Sequence, residues 1–300
     1  MKAYDQALKG EAEAQKFIGT AYVTGNGVTR NTARARTWLE RAAKQGNTAA
    51  QYNLYVLLAK EPGASPADAA EAAKWLRAAA ESNSMLAQFR LAEIYRRGES
   101  GTPRDMKKAA VLYEAAAAQG YAAAQYNIGR FYEDGIGVAQ DASTALSWYL
   151  KSALQGQVPA QLKVGSFFKI GRGVEQDDAI AFHWFERAAK ANSALAQYNL
   201  SVFYARGDGV AKDLVQSYAW SQLAARQGDA MAIRKADAYR QVLSPEQLAR
   251  ADALTRQWST QDAPGSSHAH RENSYFDIGS SKPISGLEAV ESVAPRGHGQ

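Results

Sequence analysis

Arginine is the residue type in this chain best suited to recognition, because its planar guanidinium donates two parallel hydrogen bonds to a carboxylate. Arg90, Arg97 and Arg130 lie close together near the middle of the sequence. Glu93 and Asp134 accompany them and would balance their charge on an ordinary solvated helix face. Two interpretations therefore stay open, a binding site for an acidic segment and a plain solvated surface.

Other residue types capable of chemistry form weaker patterns. Gly-Xaa-Gly turns, which can cradle phosphate, begin at Gly135, Gly171 and Gly207, but they join helix to helix and no Lys-Ser/Thr follows them. The chain has no cysteine, and His268 and His270 form only a His-Ala-His pair near its end. We therefore predict no catalytic residues, no cofactor and no metal site, and we interpret the glycine turns as structural.

An internal repeat in the sequence predicts the secondary-structure elements that position these residues. An Ala-Gln pair recurs at steps of 36 or 37 residues. Its copies begin at Ala14, Ala50, Ala87, Ala124, Ala160 and Ala196. A second marker keeps the same phase and comprises Trp38, Trp75, Leu112, Trp148, Trp184 and Trp220. A fixed period of this length is typical of a solenoid.

Each repeat is predicted to hold two helices joined by a turn. A short polar residue precedes the second helix, where its side chain can accept from free backbone N–H groups. These predicted N-caps are Asn31, Asp105, Asp141, Asp177 and Asp213. Residues that readily adopt the left-handed conformation end the second helices. They are Gly46, Asn83, Gly120, Gly156, Asn192 and Gly228. The chain is thus predicted to be all-α.

We predict one solenoid over residues 1–258. Its repeats lie near 10–46, 47–83, 84–120, 121–156, 157–192 and 193–228, and capping helices occupy 229–258. From 259 to 300, Gly, Ser, Pro and His dominate and the periodicity stops, which predicts a disordered tail. An apolar stretch in this tail, Ile284 to Val293, could fold on a partner or be plain tail.

The fourth repeat carries a set of markers found together in a known family. It reads Ala-Gln-Tyr-Asn-Ile-Gly at 124–129, then Tyr132, Gly135-Ile-Gly137-Val138, Asp141, Ala145, Trp148 and Gln155-Gly156. With these markers in phase, the chain resembles the Sel-one-like repeat (SLR) family, which is related to the tetratricopeptide repeats. The resemblance covers roughly residues 10–242, and the second repeat departs from it at the turn between Glu61 and Asp68.

The resemblance implies a right-handed superhelical α-solenoid of antiparallel helix pairs. Proteins of this family act as protein–protein interaction scaffolds, common in bacterial signalling, secretion and envelope biology. The resemblance implies no particular partner.

The exposed side of the first helix follows from its periodicity. Counting from the Ala of the Ala-Gln pair as position 1, positions 1, 5, 8 and 9 form one apolar face, and position 3 is mostly aromatic on the opposite side. Positions 4, 7 and 11 remain, and they vary between repeats. Their polar members, which we predict to line a partner-binding groove, are Asn53, Arg90, Glu93, Arg97, Asn127, Arg130, Asp134, Lys163, Asn199 and Arg206.

Charge and hydropathy limit the partners. The chain has 35 Lys and Arg against 30 Asp and Glu, a net charge of +5, with both signs mixed throughout. This mild excess permits an acidic protein partner and does not call for nucleic acid. No apolar run is long enough to span a membrane, and the N-terminus does not resemble a signal peptide. The sequence as given predicts a cytoplasmic protein, or a periplasmic one if a leader has been removed.

Three function classes follow. The leading one is a non-enzymatic scaffold or adaptor that binds a protein in the groove, in bacterial signalling, secretion or effector immunity. The alternative is single-stranded RNA binding, as in other helical repeats, although Phe17, Val56, Ile170 and Val202 put apolar side chains in the same sector. An envelope-associated hydrolase, as the resemblance to cysteine-rich relatives would suggest, is disfavoured because the sequence shows no convergent site. No small-molecule substrate is expected.

Overall fold

The computed structural model describes residues 2–60 and 65–261, and every regular element within these residues is an α-helix. The helices are α1 Lys2–Leu8, α2 Ala12–Thr24, α3 Thr32–Lys44, α4 Thr48–Lys60, α5 Pro66–Glu81, α6 Met85–Arg97, α7 Met106–Ala118, α8 Ala122–Asp134, α9 Ala142–Leu154, α10 Val158–Ile170, α11 Asp178–Lys190, α12 Ala194–Arg206, α13 Leu214–Arg226, α14 Ala230–Val242 and α15 Pro245–Gln261. The predicted all-α class is confirmed.

Even-numbered helices from α2 to α14 are the first helices of successive repeats, and the odd-numbered helices that follow them are the second helices. The chain forms two compact units: unit 1 holds the residues up to Ala124 with Ile136–Val138, and unit 2 holds Gln125–Gly135 and the chain from Ala139 to the end of α15. Within unit 1 each helix from α1 to α7 packs on the next, and within unit 2 the same holds from α9 to α14, with α15 packing on α13. Such serial packing of helix pairs is that of a solenoid.

The predicted helix ends are confirmed. Each predicted N-cap, at Asn31, Asp105, Asp141, Asp177 and Asp213, accepts a hydrogen bond from a backbone N–H in the first turn of its helix. The residues predicted to end the second helices all have positive φ, between 59° at Asn192 and 94° at Gly120. These local signals are independent of tertiary packing, so the sequence was sufficient to place them.

In the turns that begin at Gly135, Gly171 and Gly207, the second glycine is required by a close backbone approach. A Cβ on Gly209 would lie 2.3 Å from the carbonyl carbon of Asp178, and one on Gly173 would lie 2.7 Å from that of Ala142. Both contacts join a turn to the start of the second helix in the preceding repeat. The turns are therefore packing points between repeats, which agrees with their structural interpretation from the sequence.

The core consists of the repeated small and aromatic residues. The alanines of the Ala-Gln pairs are buried, and Tyr149 and Phe167 are among the largest side chains fully removed from solvent. Helical glycines let these rings approach, since a Cβ on Gly129 would lie 2.8 Å from the Tyr149 ring. The aromatic stripe is thus packing, consistent with close-packed helix pairs.

Two predictions concern segments that are described only in part. Residues 259–261, assigned from the sequence to the tail, belong to α15, while the remaining tail prediction, including Ile284 to Val293, lies outside the described residues. Part of the unusual second-repeat turn, 61–64, also lies outside them; after it, Ser65 and Asp68 form a capping box at the start of α5. None of the helices in the described part of the chain combines the length and apolar character needed to cross a membrane.

Candidate functional site

Position 11 of the first helix is exposed in every repeat. We call these residues the position-11 row. In unit 1 the row comprises Thr24, Lys60 and Arg97, and in unit 2 it comprises Asp134, Ile170, Arg206 and Val242. Val242 belongs to the row because Ala232 follows Ala196 by one further period and opens a seventh first helix, α14. Of the three predicted groove positions, position 11 is thus the one that is exposed in every repeat.

Position 4 lies between repeats and not in the open sector, and this corrects the prediction for Asn53. That side chain is fully buried and donates a hydrogen bond to the hydroxyl of Thr20 in the preceding repeat, at 3.2 Å. Arg90 likewise donates to the Tyr55 hydroxyl at 2.9 Å. In unit 2, Lys163 donates to the carboxylate of Glu133. A position-4 side chain thus reaches back to the preceding first helix and joins two repeats.

Two further position-4 residues stay nearer to the surface. Asn199 is half-buried and donates to the carbonyl of Leu195 in its own helix at 2.8 Å, and Asn127 is also half-buried. Position 7 is mixed, since Glu93 is buried while Arg130 is exposed. Equal spacing in sequence therefore does not produce equal exposure, because the depth of each site depends on the residues packed around it.

A buried carboxylate holds the exposed arginines of unit 1. Glu93 accepts from the Tyr113 hydroxyl and from Arg96 at 2.7 Å, and Arg97 lies 3.2 Å from the same carboxylate. Burial raises the pKa of Glu93, but hydrogen bonds from Arg96 and Tyr113 outweigh burial, so the pKa falls below its usual value. Glu99 also pairs with Arg97, at 3.2 Å. An acidic ligand would have to displace these internal partners.

The Glu133 cluster in unit 2 has the same design. Its carboxylate, buried in the repeat interface, accepts from the hydroxyl of Tyr149, from Lys163 at 2.9 Å and from Arg172 at 2.8 Å. Burial raises the pKa of this carboxyl, whereas the bonds from Lys163 and Tyr149 and the nearby charges lower it further than burial raises it. Burial and the bond to Glu133 also raise the pKa of Tyr149. Glu133 therefore stays ionised and fixes two cations at the surface.

The position-11 row of unit 2 differs from that of unit 1 in having apolar members. Ile170 is 66% exposed and Val242 is 70% exposed, and Arg206 occupies the repeat between them. Neither Arg206 nor Arg130 takes part in an ion pair with any described residue. Position 11 in three successive repeats of unit 2 therefore exposes an apolar, then a cationic, then an apolar side chain.

Lys235 lies beside this row, in a helix that the sequence predicted only as part of the cap. It occupies position 4 of α14, donates to the carbonyl of Ser201 at 3.1 Å and lies 5.9 Å from the ring centres of Tyr198 and Tyr239. Burial, together with the charge of Arg206, lowers its pKa to about 8. Continuing the 36-residue period by one step would have found both Lys235 and Val242.

Residues with catalytic or metal-binding potential do not converge. Among residues 2–60 and 65–261, no three of the His, Cys, Asp and Glu side chains come together in a way that could hold a metal ion. The groups present are ion pairs, aromatic rings and exposed apolar side chains.

Comparisons with known proteins agree with this architecture. The Sel1 repeat model matches six consecutive segments, residues 12–47, 48–84, 86–121, 122–157, 158–193 and 194–229. No curated protein matches the chain.

Several solved structures are similar to the chain, among them two that share about a third of its sequence. One is a protective antigen present in uropathogenic Escherichia coli strains and displaying an SLR fold, at 31% identity and a TM-score of 0.73, covering 87% of this chain and 56% of that one. The other is a Sel1 repeat protein from Oxalobacter formigenes, at 33% identity and a TM-score of 0.57, covering 72% of this chain and 85% of that one. The chain thus spans little more than half of the first of these two proteins.

Proposed function

Since the chain belongs to the Sel1 repeat family, whose members are generally protein-interaction scaffolds, we propose that it is a non-enzymatic adaptor that binds a partner protein along its first helices. The observation that carries this proposal is the position-11 row of unit 2, where Ile170 and Val242 are exposed with Arg206 between them. We further place this role in bacterial signalling, secretion or effector immunity, because the two solved proteins described above come from bacteria.

The chemistry of the row defines the partner segment. Covering an aliphatic side chain contributes about 1.5–3 kcal/mol, so Ile170 and Val242 would supply most of the affinity. A carboxylate of the partner placed on Arg206 would contribute about 0.2–1 kcal/mol at an exposed site and would mainly set orientation. The matching segment therefore has apolar side chains flanking an acidic one.

Unit 1 is less suited to this role. Arg90 and Arg97, expected from the sequence to fork onto an acidic partner, are already paired with Glu99, at 3.3 Å and 3.2 Å. Exchanging one carboxylate for another leaves little net gain, because the guanidinium is satisfied before binding. The partner-binding surface is accordingly placed in unit 2.

The test is an affinity purification from the source cells with wild type and with an Ile170→Asp/Arg206→Glu variant. A matched control, Leu8→Asp/Lys212→Glu, makes the same change of charge at exposed sites outside the row. We expect a protein that wild type and control retain and the variant loses, and about tenfold weaker binding of that protein by the variant after both are purified.

Two outcomes would contradict the proposal. The first is that the row variant retains every protein that wild type retains. The second is tight binding of single-stranded RNA that weakens steeply with salt, which would favour the RNA-binding alternative.

A further inference from the structure

A second surface lies on unit 1, and none of the residues that line it belongs to the position-11 row. It is a groove of about 450 Å³ between the second helices α5 and α7, with the first helix α6 as its floor. Leu91 and Tyr95 form the floor, and Val111 and Leu112 form one wall. Its rim carries Arg77, Glu81, Lys107 and Lys108. We call this the α5/α7 groove.

The groove lies where the third repeat departs from the period, at Leu112. This residue stands where other repeats have a tryptophan, such as the buried Trp75 and Trp184. The floor of the groove is also less covered than its counterparts. Leu91 is only partly buried, whereas the residues at the same helix position in the other repeats from the second to the sixth are fully buried: Leu54, Ile128, Val164 and Leu200.

The neighbouring pair of second helices in unit 1, α3 and α5, is joined by an ion pair that α5 and α7 lack. Between α3 and α5, Arg36 bridges the two helices by pairing with Asp68 at 3.0 Å and with Glu71. One period later the residues equivalent to Arg36 and Glu71 are Ala73 and Lys108. The ion pair that closes the first seam therefore has no counterpart across the α5/α7 groove.

The rim charges are unbalanced. Arg77 and Lys107 are exposed and form no ion pair with any described residue. Lys108 lies over the Tyr95 ring at 5.3 Å and 3.5 Å from Asp105. Glu81 is the single carboxylate on the rim. Within the groove, Val111 is 67% exposed, so apolar surface is offered inside a mostly cationic border.

We propose that the α5/α7 groove binds a short amphipathic helix of a partner protein, whose apolar side chains enter the groove and whose carboxylates pair with Arg77 and Lys107. The volume falls within the range of ligand pockets, about 300–1,000 Å³. Helices bind apolar grooves through side chains at i, i+3, i+4 and i+7, which fits a trough lined by helices. The excess of rim cations selects acidic over basic helices by charge complementarity.

The groove is lined by unit 1 residues and shares none with the unit 2 part of the position-11 row. If each surface holds its own protein, the chain is a scaffold that raises the effective concentration of one partner near the other. Loss of one surface should leave the other intact, so the two proposals fail or survive separately.

The test uses the full chain and a labelled synthetic helix of about 16 residues with leucines at i, i+3, i+4 and i+7 and glutamates beside them. Fluorescence anisotropy should give a Kd of about 10–100 μM. A matched peptide with lysine in place of glutamate should bind at least about tenfold more weakly, because the rim would repel it.

Two variants locate the binding site. Val111→Asp should weaken binding at least about tenfold, while Val242→Asp, equally exposed but in the row, should leave it unchanged. Leu112→Trp restores the tryptophan of the other repeats and should fill the groove, so it should also weaken binding at least about tenfold while the melting temperature is kept or raised. This second variant separates a blocked groove from a misfolded protein.

Three results would overturn the proposal. One is acidic-peptide binding that neither Val111→Asp nor Leu112→Trp weakens. Another is equal affinity for the acidic and basic peptides, or no binding of either. The third is binding only after removal of residues 262–300, which would mean that the chain's own tail, and not a partner, occupies the groove.

Discussion

Replacing Glu133 with glutamine tests whether this buried carboxylate joins the repeats of unit 2. The substitution keeps the size of the side chain but removes the charge that Lys163 and Arg172 contact. Breaking a buried ion pair costs about 3–5 kcal/mol. Here both cations remain 36% exposed, so water replaces part of the lost interaction. We therefore expect the free energy of unfolding to fall by about 2–3 kcal/mol at pH 7.

The assay is urea unfolding followed by circular dichroism, with hydrogen exchange to locate the loss of protection in α8, α9 and α10. The matched control is Glu186→Gln in α11, which removes an exposed pair with Lys190 at 2.8 Å. That change should cost less than about 0.5 kcal/mol. If Glu133→Gln costs no more than Glu186→Gln, the cluster is not a joint between repeats and the reasoning is refuted.

The remaining predictions concern pH and local structure. Folding lowers the pKa of Glu133, so this carboxylate stabilises the folded state above pH 4.5, and that stabilisation is lost as the pH falls below 4.5. In urea unfolding, Glu133→Gln should therefore lose less stability than wild type on acidification. Gly209→Ala should lower stability by more than about 2 kcal/mol in thermal melts, because its Cβ would meet Asp178, whereas Gly228→Ala, with open space, should cost about 1 kcal/mol. Removing the N-cap with Asp213→Ala should cost about 1 kcal/mol, also measured by melting.

The sequence predicted the architecture because the determining signals are local. An N-cap such as Asp177 and a helix end such as Asn192 depend on a few neighbouring atoms, so residue type and phase were enough to place them. The period placed the helix pairs for the same reason. The end of α15 was set too early at Trp258, because the helix continues over polar residues to Gln261 without an apolar pattern to mark it.

The candidate site was predicted less well because exposure depends on the neighbouring repeat. A helical projection assigns Asn53 and Arg97 to one open sector, yet Asn53 is buried against Thr20 and Arg97 is exposed. Projection treats a helix as isolated, whereas position 4 faces the preceding first helix. Glu93 and Arg97 are four residues apart on one helix, so the sequence indicated their pairing, whereas the burial of Glu93 against Tyr113 required the fold.

Some charged residues in this solenoid form ion pairs that join repeats, whereas others are exposed and form no ion pair with any described residue. The two groups differ in whether the residue at the matching position of the next helix carries the opposite charge. Where a cation and a carboxylate face each other across two second helices, as Arg36 and Glu71 do, the ion pair joins the helices. One period later Ala73 and Lys108 replace both partners, and exposed cations lie beside apolar surface. This departure from the repeat is the reason why we propose the α5/α7 groove as a binding surface. Ile170 belongs to the other proposed surface because 66% of it is exposed, so it adds little to the packing of its own helix pair.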